Sequence, residues 1–153
     1  MKCAAWKRYG GWILFTEAVG ALSGWLARDG MELYRSSIEK PPLSPPGVVF
    51  PIVWGILFAL MGIGAARMQL HGKPAGGWFW AQLGFNFAWS LIFFRWQLFG
   101  AAFLWLVILW GLILGMILSF HRTDRWAARL QIPYLLWTAF AGYLNAGVWL
   151  LNR

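Results

Sequence analysis

Charge is scarce in this chain. Asp, Glu, Lys and Arg make up 12% of its 153 residues, about half of what a soluble domain needs to cover its surface. An outer surface so poor in charge must face something apolar, and a bilayer is the solvent that fits. Acid is the scarcer sign: 5 acidic residues stand against 13 basic ones, a formal net charge of +8. A basic balance suits nucleic acid when Lys and Arg gather on one polar face. Here they lie between long apolar runs, as topology signals and partners of anionic headgroups do, which argues against a nucleic-acid partner. The single cysteine, Cys3, rules out an intramolecular disulfide. The two histidines, His71 and His121, fall far apart and in expected loops, so no metal-ligand spacing exists. Ser23, Ser44, Ser90 and Ser119 have no His–Asp arrangement near them, and no general base has a credible placement. No stretch alternates with period two, which argues against a β-barrel.

Apolar residues and indoles are what the chain has instead: 60% is hydrophobic and 13 residues are Trp. One membrane span takes about 20 mostly apolar residues. Five stretches qualify: Gly11–Ala27, Val48–Ala66, Trp78–Phe94, Phe99–Phe120 and Leu130–Leu151. Hydrocarbon demands that every backbone group be satisfied internally, so these are helices. The expected fold is all-α, a polytopic membrane protein with a five-transmembrane-helix bundle forming one domain over residues 1–153. Lys7–Arg8 and Ala21-Leu22-Ser23 mimic a signal peptide around the first stretch, but Glu17 in its middle speaks against that.

Basic residues set the orientation. Lys2, Lys7, Arg8, Arg67, Lys73, Arg122, Arg125 and Arg129 fall on one side; Arg28, Arg35, Lys40, Arg95 and Arg153 fall on the other. The richer side faces inward, which puts the N-terminus inside and the C-terminus outside. The long first loop, about Arg28 to Gly47, contains Pro41, Pro42, Pro45 and Pro46. Proline fixes φ and removes donors, so the loop is expected to be stiff and extended rather than helical. A long ordered loop over a bundle acts as a lid or binding loop, with a plain linker as the alternative. Gly20 and Gly24, Gly84 and Ala88, and Gly111 and Gly115 have the four-residue spacing of helix-packing seams, including those of a homodimer.

Polar groups at membrane depth are costly unless they face protein, water or a ligand. Asn86, Trp89 and Phe93 share one helix face by spacing; so do Trp137, Ala141 and Asn145, and so do Phe50, Trp54 and Phe58. Three such faces would enclose an apolar pocket with a few orienting hydrogen bonds. Any single indole is better explained by packing or by an interfacial belt, and the Asn side chains have helix glue as their alternative, but the three faces jointly favour the pocket. Glu17 is either a functional carboxylate or close enough to a helix end to snorkel. No second acid in the spans offers a proton relay.

These motifs carry a resemblance. Lys40-Pro41, Pro45-Pro46, Val49-Phe50 and Val53-Trp54 come first. Asn86-Phe87-Ala88-Trp89-Ser90 and Phe93-Phe94 follow. The last run holds Pro133-Tyr134-Leu135-Leu136-Trp137, Phe140-Ala141, Tyr143-Leu144-Asn145 and Trp149 to Asn152. In this order and spacing the chain resembles the tryptophan-rich sensory protein/translocator protein family (TspO/MBR) over essentially its whole length. The resemblance implies a commonly dimeric bundle that binds protoporphyrin IX and haem, and also sterols and benzodiazepine-type ligands, under loop one. It requires no obligatory cofactor and no metal. Carried over by residue, the pocket includes Trp54, Asn86, Trp89, Trp137, Ala141 and Asn145.

The chain departs from the family pattern in the lid. Tyr34, Leu43 and Val48 stand at family Trp positions, Arg35 at a family Tyr, and Trp105 where many members carry Asp. Loss of lid indoles weakens a light-dependent porphyrin-degrading enzyme more than a binding protein. Catalytic residues are therefore unassigned, with Trp137 and Tyr34 as the oxidisable candidates. Arg35 would suit a porphyrin carboxylate. The primary expectation is a membrane receptor or sensor, with a possible part in tetrapyrrole transport. The alternatives are that enzyme and a lipid-binding structural protein. After Tyr143 no Lys or Arg follows in time to complete a strict sterol motif.

Overall fold

The computed structural model describes residues 2–153, and every regular element among them is helical. α1 is Lys2–Leu26, α2 Arg28–Ser37, α3 Val49–Leu70, α4 Gly77–Ser90, α5 Phe99–His121, α6 Arg125–Arg129 and α7 Ile132–Leu151. A π turn over Leu91–Arg95 extends α4. Val49–Leu70, Phe99–His121 and Arg125–Leu151 are long and apolar enough to cross a membrane. α1 has the length but carries Lys2, Lys7, Arg8 and Glu17, and α4 alone has 14 residues. Each of the five apolar stretches is a helix, with shifted ends. The first starts at Lys2 rather than Gly11, and α5 runs through His121, which is therefore helical and not in a loop.

Loop one corrects the sequence reading. Its first half is α2, not extended chain. The prolines that stiffen the loop all lie beyond Ser37, so they stop a helix without preventing one before them. Ala27, Met31 and Tyr34 recur at helical spacing, and Ala27 and Tyr34 are buried. Asp29 in the first turn and Arg35 in the last suit the helix dipole. Gly30 makes the docking possible: a Cβ there would collide with the Phe94 carbonyl in the π turn.

Other ends are equally local in cause. α3 stops at a Schellman turn, with Gly72 at φ +73° and Lys73 N donating to Met68 O at 3.0 Å. Asp124 caps α6 by accepting from Trp126 N at 2.9 Å. α7 starts on Pro133, a residue tolerated only in a first turn.

α3 packs mainly on α1, α4 on α5, and α5 on α7. Gly62 lets α1 and α3 close up, since a Cβ there would sit 2.8 Å from the Ile13 backbone. Thr16 Oγ1 donates across the same seam to Phe58 O at 2.7 Å. One end of the bundle is solid. Met61, Phe79, Leu109, Ile113, Met116 and Phe120 are fully buried there, and Phe79 stacks on Phe120 at 6.5 Å. At its rim Arg67 pairs with Asp124 at 2.5 Å, and the guanidinium holds the Asp124 carboxyl below the usual carboxylate range. The opposite end, under α2, is hollow.

Candidate functional site

The hollow is a cavity of about 400 Å³, within the range of small-molecule sites. α3 enters it with Phe50, Trp54 and Phe58, one residue per turn. α4 and its π turn contribute Asn86, Trp89, Phe93 and Phe94. α7 contributes Trp137, Ala141 and Asn145, and α2 covers the space with Tyr34 and Arg35. Every site residue singled out from the sequence lines this one cavity: Tyr34, Arg35, Phe50, Trp54, Asn86, Trp89, Phe93, Trp137, Ala141 and Asn145. Trp105 does not. It stacks on Phe85 at 4.1 Å and donates to Phe85 O, so it locks α5 to α4.

The floor is a set of buried hydrogen bonds. Asn86 Nδ2 donates to the Tyr134 hydroxyl at 2.6 Å, and that hydroxyl donates to Gln82 Oε1 at 2.8 Å. Trp89 Nε1 donates to Asn145 Oδ1 at 3.1 Å, and Asn145 Nδ2 donates to Phe99 O at 2.8 Å. α4, α5 and α7 are thereby joined through amides that sequence reasoning had divided between a ligand role and helix glue. Both polar atoms of the Asn145 side chain are thus bonded to protein. These bonds fix the Trp89 ring, which stacks on Phe93 at 5.4 Å and lies 6.3 Å from Trp54. Trp137 meets Phe50 edge-on at 6.0 Å, and its buried indole N–H has no partner.

The lid is built differently. The Tyr34 ring meets Phe94 edge-on at 5.5 Å and Phe50 at 6.5 Å. Burial pushes its phenol up from its ordinary value, so it stays neutral and can donate. Lys40 Nζ stands 4.9 Å over that ring. Arg35 has one loose exposed ion pair, with Glu32 at 3.9 Å. Beyond α2 the proline segment lies along α7. Pro41 sits where Gly147 has no side chain, and Tyr143 Oη donates to Pro42 O at 2.6 Å. Asn152 closes the clamp: its Nδ2 donates to Glu39 O at 2.8 Å and its Oδ1 accepts from Glu39 N at 3.0 Å.

Sequence reasoning missed the α1 wall. Glu17, Gly20, Ser23 and Gly24 line the cavity too. Gly20 and Gly24 had been read as a packing seam. Gly20 packs on the Phe58 ring, but nothing lies within 4 Å of a Cβ at Gly24. The usable signal was Glu17, Gly20 and Gly24 at helical spacing on one face. Gln82 and Tyr134 were also missed as a pair; Gln82 lies one turn before Asn86, on the same face.

Comparison with known proteins identifies a family. Residues 12–150 match the TspO/MBR family. Protein CrtK of Rhodobacter capsulatus is 36% identical over 125 residues, 78% of each chain. Tryptophan-rich protein TspO of Chlorobaculum tepidum is 36% identical over 130 residues, covering 78% of this chain and 79% of that one. The translocator protein of Bos taurus is 31% identical over 158 residues, covering 97% of this chain and 92% of that one.

Proposed function

The chain belongs to the TspO/MBR family of membrane proteins, and on that premise we propose that it is an integral membrane receptor for tetrapyrroles such as protoporphyrin IX and haem. The carrying observation is the cavity itself: indole faces of Trp54, Trp89 and Trp137 from three helices line one space of about 400 Å³ beneath α2. A porphyrin is broad, flat and apolar, with two carboxylates at one edge. Aromatic faces suit the ring. Arg35, held only by its exposed contact to Glu32, suits the carboxylates. Sterol-like and benzodiazepine-type molecules are further guests for the same apolar space. A sensory or transport role follows from reversible occupancy under the lid.

The setting belongs to the same proposal. All five long helices span, the N-terminus lies inside, and the C-terminus outside. In support, the first half of α1 meets α3's end through Trp12 Nε1 and Gln69 Oε1 at 3.0 Å, while loop one meets α7's end at Asn152. A homodimer uses glycines left open on the surface: nothing lies within 4 Å of a Cβ at Gly84 or Gly111. Labelling of Cys3, which is exposed, from the outer face would reverse the orientation.

The test is a titration in nanodiscs. Protoporphyrin IX added in the dark should quench Trp fluorescence saturably. Trp54→Ala should weaken binding at least tenfold. Arg35→Ala should weaken binding of protoporphyrin IX but not of its dimethyl ester. Absence of saturable quenching would leave a lipid-binding structural protein. A second reading, light-dependent porphyrin oxidation, is favoured by one observation: the oxidisable rings of Tyr34 and Trp137 both line the cavity. Illumination that bleaches the porphyrin with the wild type and not with Trp137→Phe would establish it.

A further inference from the structure

Glu17 is the acid of the α1 wall. It sits within the apolar part of α1 and lines the cavity. Its neighbour Thr16 is turned into the α1–α3 seam and bonded to Phe58 O. Gly20, one turn on, faces the Phe58 ring. Glu17 is therefore level with Phe58, deep in α3. From Glu17 toward the lid the walls open, since nothing lies within 4 Å of a Cβ at Gly24 or Gly55.

No cation answers this carboxyl among the described residues. Arg35 pairs with Glu32, and Arg67 with Asp124. Arg35 lies against Gly47, at the other end of the cavity. From Val49, where α3 begins beside Gly47, to Phe58 the helix rises about 13.5 Å at 1.5 Å per residue. The cation of the lid and the anion of the α1 wall are too far apart to neutralise each other. An ionisable group left without a counter-charge at bilayer depth is costly, and a cation from the guest removes that cost.

We propose that Glu17 is a specificity-determining residue, which makes the cavity bipolar and selects guests bearing a protonated amine on the end away from the lid. The inference rests on the receptor reading for its cavity and goes beyond it by naming a second class of guest, since protoporphyrin IX presents an apolar edge at that depth. A guest with an apolar edge at that depth leaves the carboxylate buried against hydrocarbon, whereas an ammonium makes a charge-assisted hydrogen bond. Attraction to one guest and penalty on the other act together, which is how strong discrimination arises.

The test uses the full chain in nanodiscs, with empty nanodiscs subtracted, by isothermal titration calorimetry. The probes are 2-(1-naphthyl)ethylamine, the size-matched 2-(1-naphthyl)ethanol, and protoporphyrin IX. The wild type should bind the amine at least tenfold more tightly than the alcohol. Glu17→Gln should erase that ratio and tighten protoporphyrin IX binding. Glu17→Asp, which keeps the charge, should retain a reduced preference and guards against a folding defect in the first variant. Equal binding of amine and alcohol by the wild type, or a preference that survives Glu17→Gln, overturns the inference even if porphyrin binds. Failure of porphyrin alone, with the amine preference intact and lost in Glu17→Gln, overturns the tetrapyrrole reading and leaves this one standing.

Discussion

The two ends of this bundle are made of similar residues and do opposite things. At one end Met61, Phe79, Ile113, Met116 and Phe120 fill the centre until no solvent reaches them. At the other, Phe50, Trp54, Trp89 and Trp137 surround a space of about 400 Å³. The difference is not in hydrophobicity. In the packed end flexible or branched chains alternate with phenyl rings and interdigitate. In the hollow end rigid rings meet at mixed angles, edge-on between Phe50 and Trp137 and stacked between Trp89 and Phe93, and glycines on the facing α1 wall supply nothing to fill the gap between them. Between the two lies a polar partition, Gln82–Tyr134–Asn86, with Trp89–Asn145 beside it. A hollow in a membrane bundle needs such a partition, because rigid rings over empty space have little else to hold them apart.

The comparison can be broken most severely in the packed end. Phe120→Ala should cost about 3–5 kcal/mol, read as a loss of thermal stability in detergent, whereas Trp54→Ala in the hollow end should cost far less. Equal losses would mean that the cavity collapses or is filled in solution. Next in size is the partition. Tyr134→Phe leaves the Gln82 oxygen and the Asn86 amide without partners and should cost about 2–4 kcal/mol. It should also broaden the Trp fluorescence spectrum as Trp54 and Trp89 lose their fixed setting.

The rim of the packed end sharpens the contrast through acid. Asp124 is held below its ordinary pKa by Arg67, so its contribution is complete above about pH 4, where a free carboxyl ionises, and is lost as pH falls through the folded value. Melting temperature should therefore drop on acidification below about pH 4, and the drop should shrink in Asp124→Asn. The smallest effect belongs to the lid. Asn152→Ala removes two exposed bonds to Glu39 and should cost under about 1 kcal/mol. Limited proteolysis should nonetheless cut residues 38–48 faster, with the bundle intact.

The hollow end was legible because its walls repeat at helical spacing. Phe50, Trp54 and Phe58 could be placed on one face without any structure, as could Asn86, Trp89 and Phe93. The lid was illegible for a physical reason. Four prolines dominate its composition, yet they act only where they stand, and the short amphipathic run before them folds as α2. The partition was half legible. Asn86 and Asn145 stood out as polar groups in apolar helices, but their partners depend on how α4, α5 and α7 are rotated. Spacing along one chain segment does not contain that rotation. Glu17 was noticed and left undecided for the same reason: its depth was readable, while the direction it faces required α3.

The π turn at Leu91–Arg95 carries a consequence of its own. One surplus residue is accommodated in a single coil, and two consecutive rings, Phe93 and Phe94, thereby look into the same chamber. Excising one position there would restore the regular spiral, in which consecutive side chains stand about 100° apart, so one of the two rings would swing out toward the lipid tails. The shape of the chamber is thus tuned by chain length at one bend as well as by side-chain choice, and an insertion or deletion at this point would remodel the guest list where many substitutions would not.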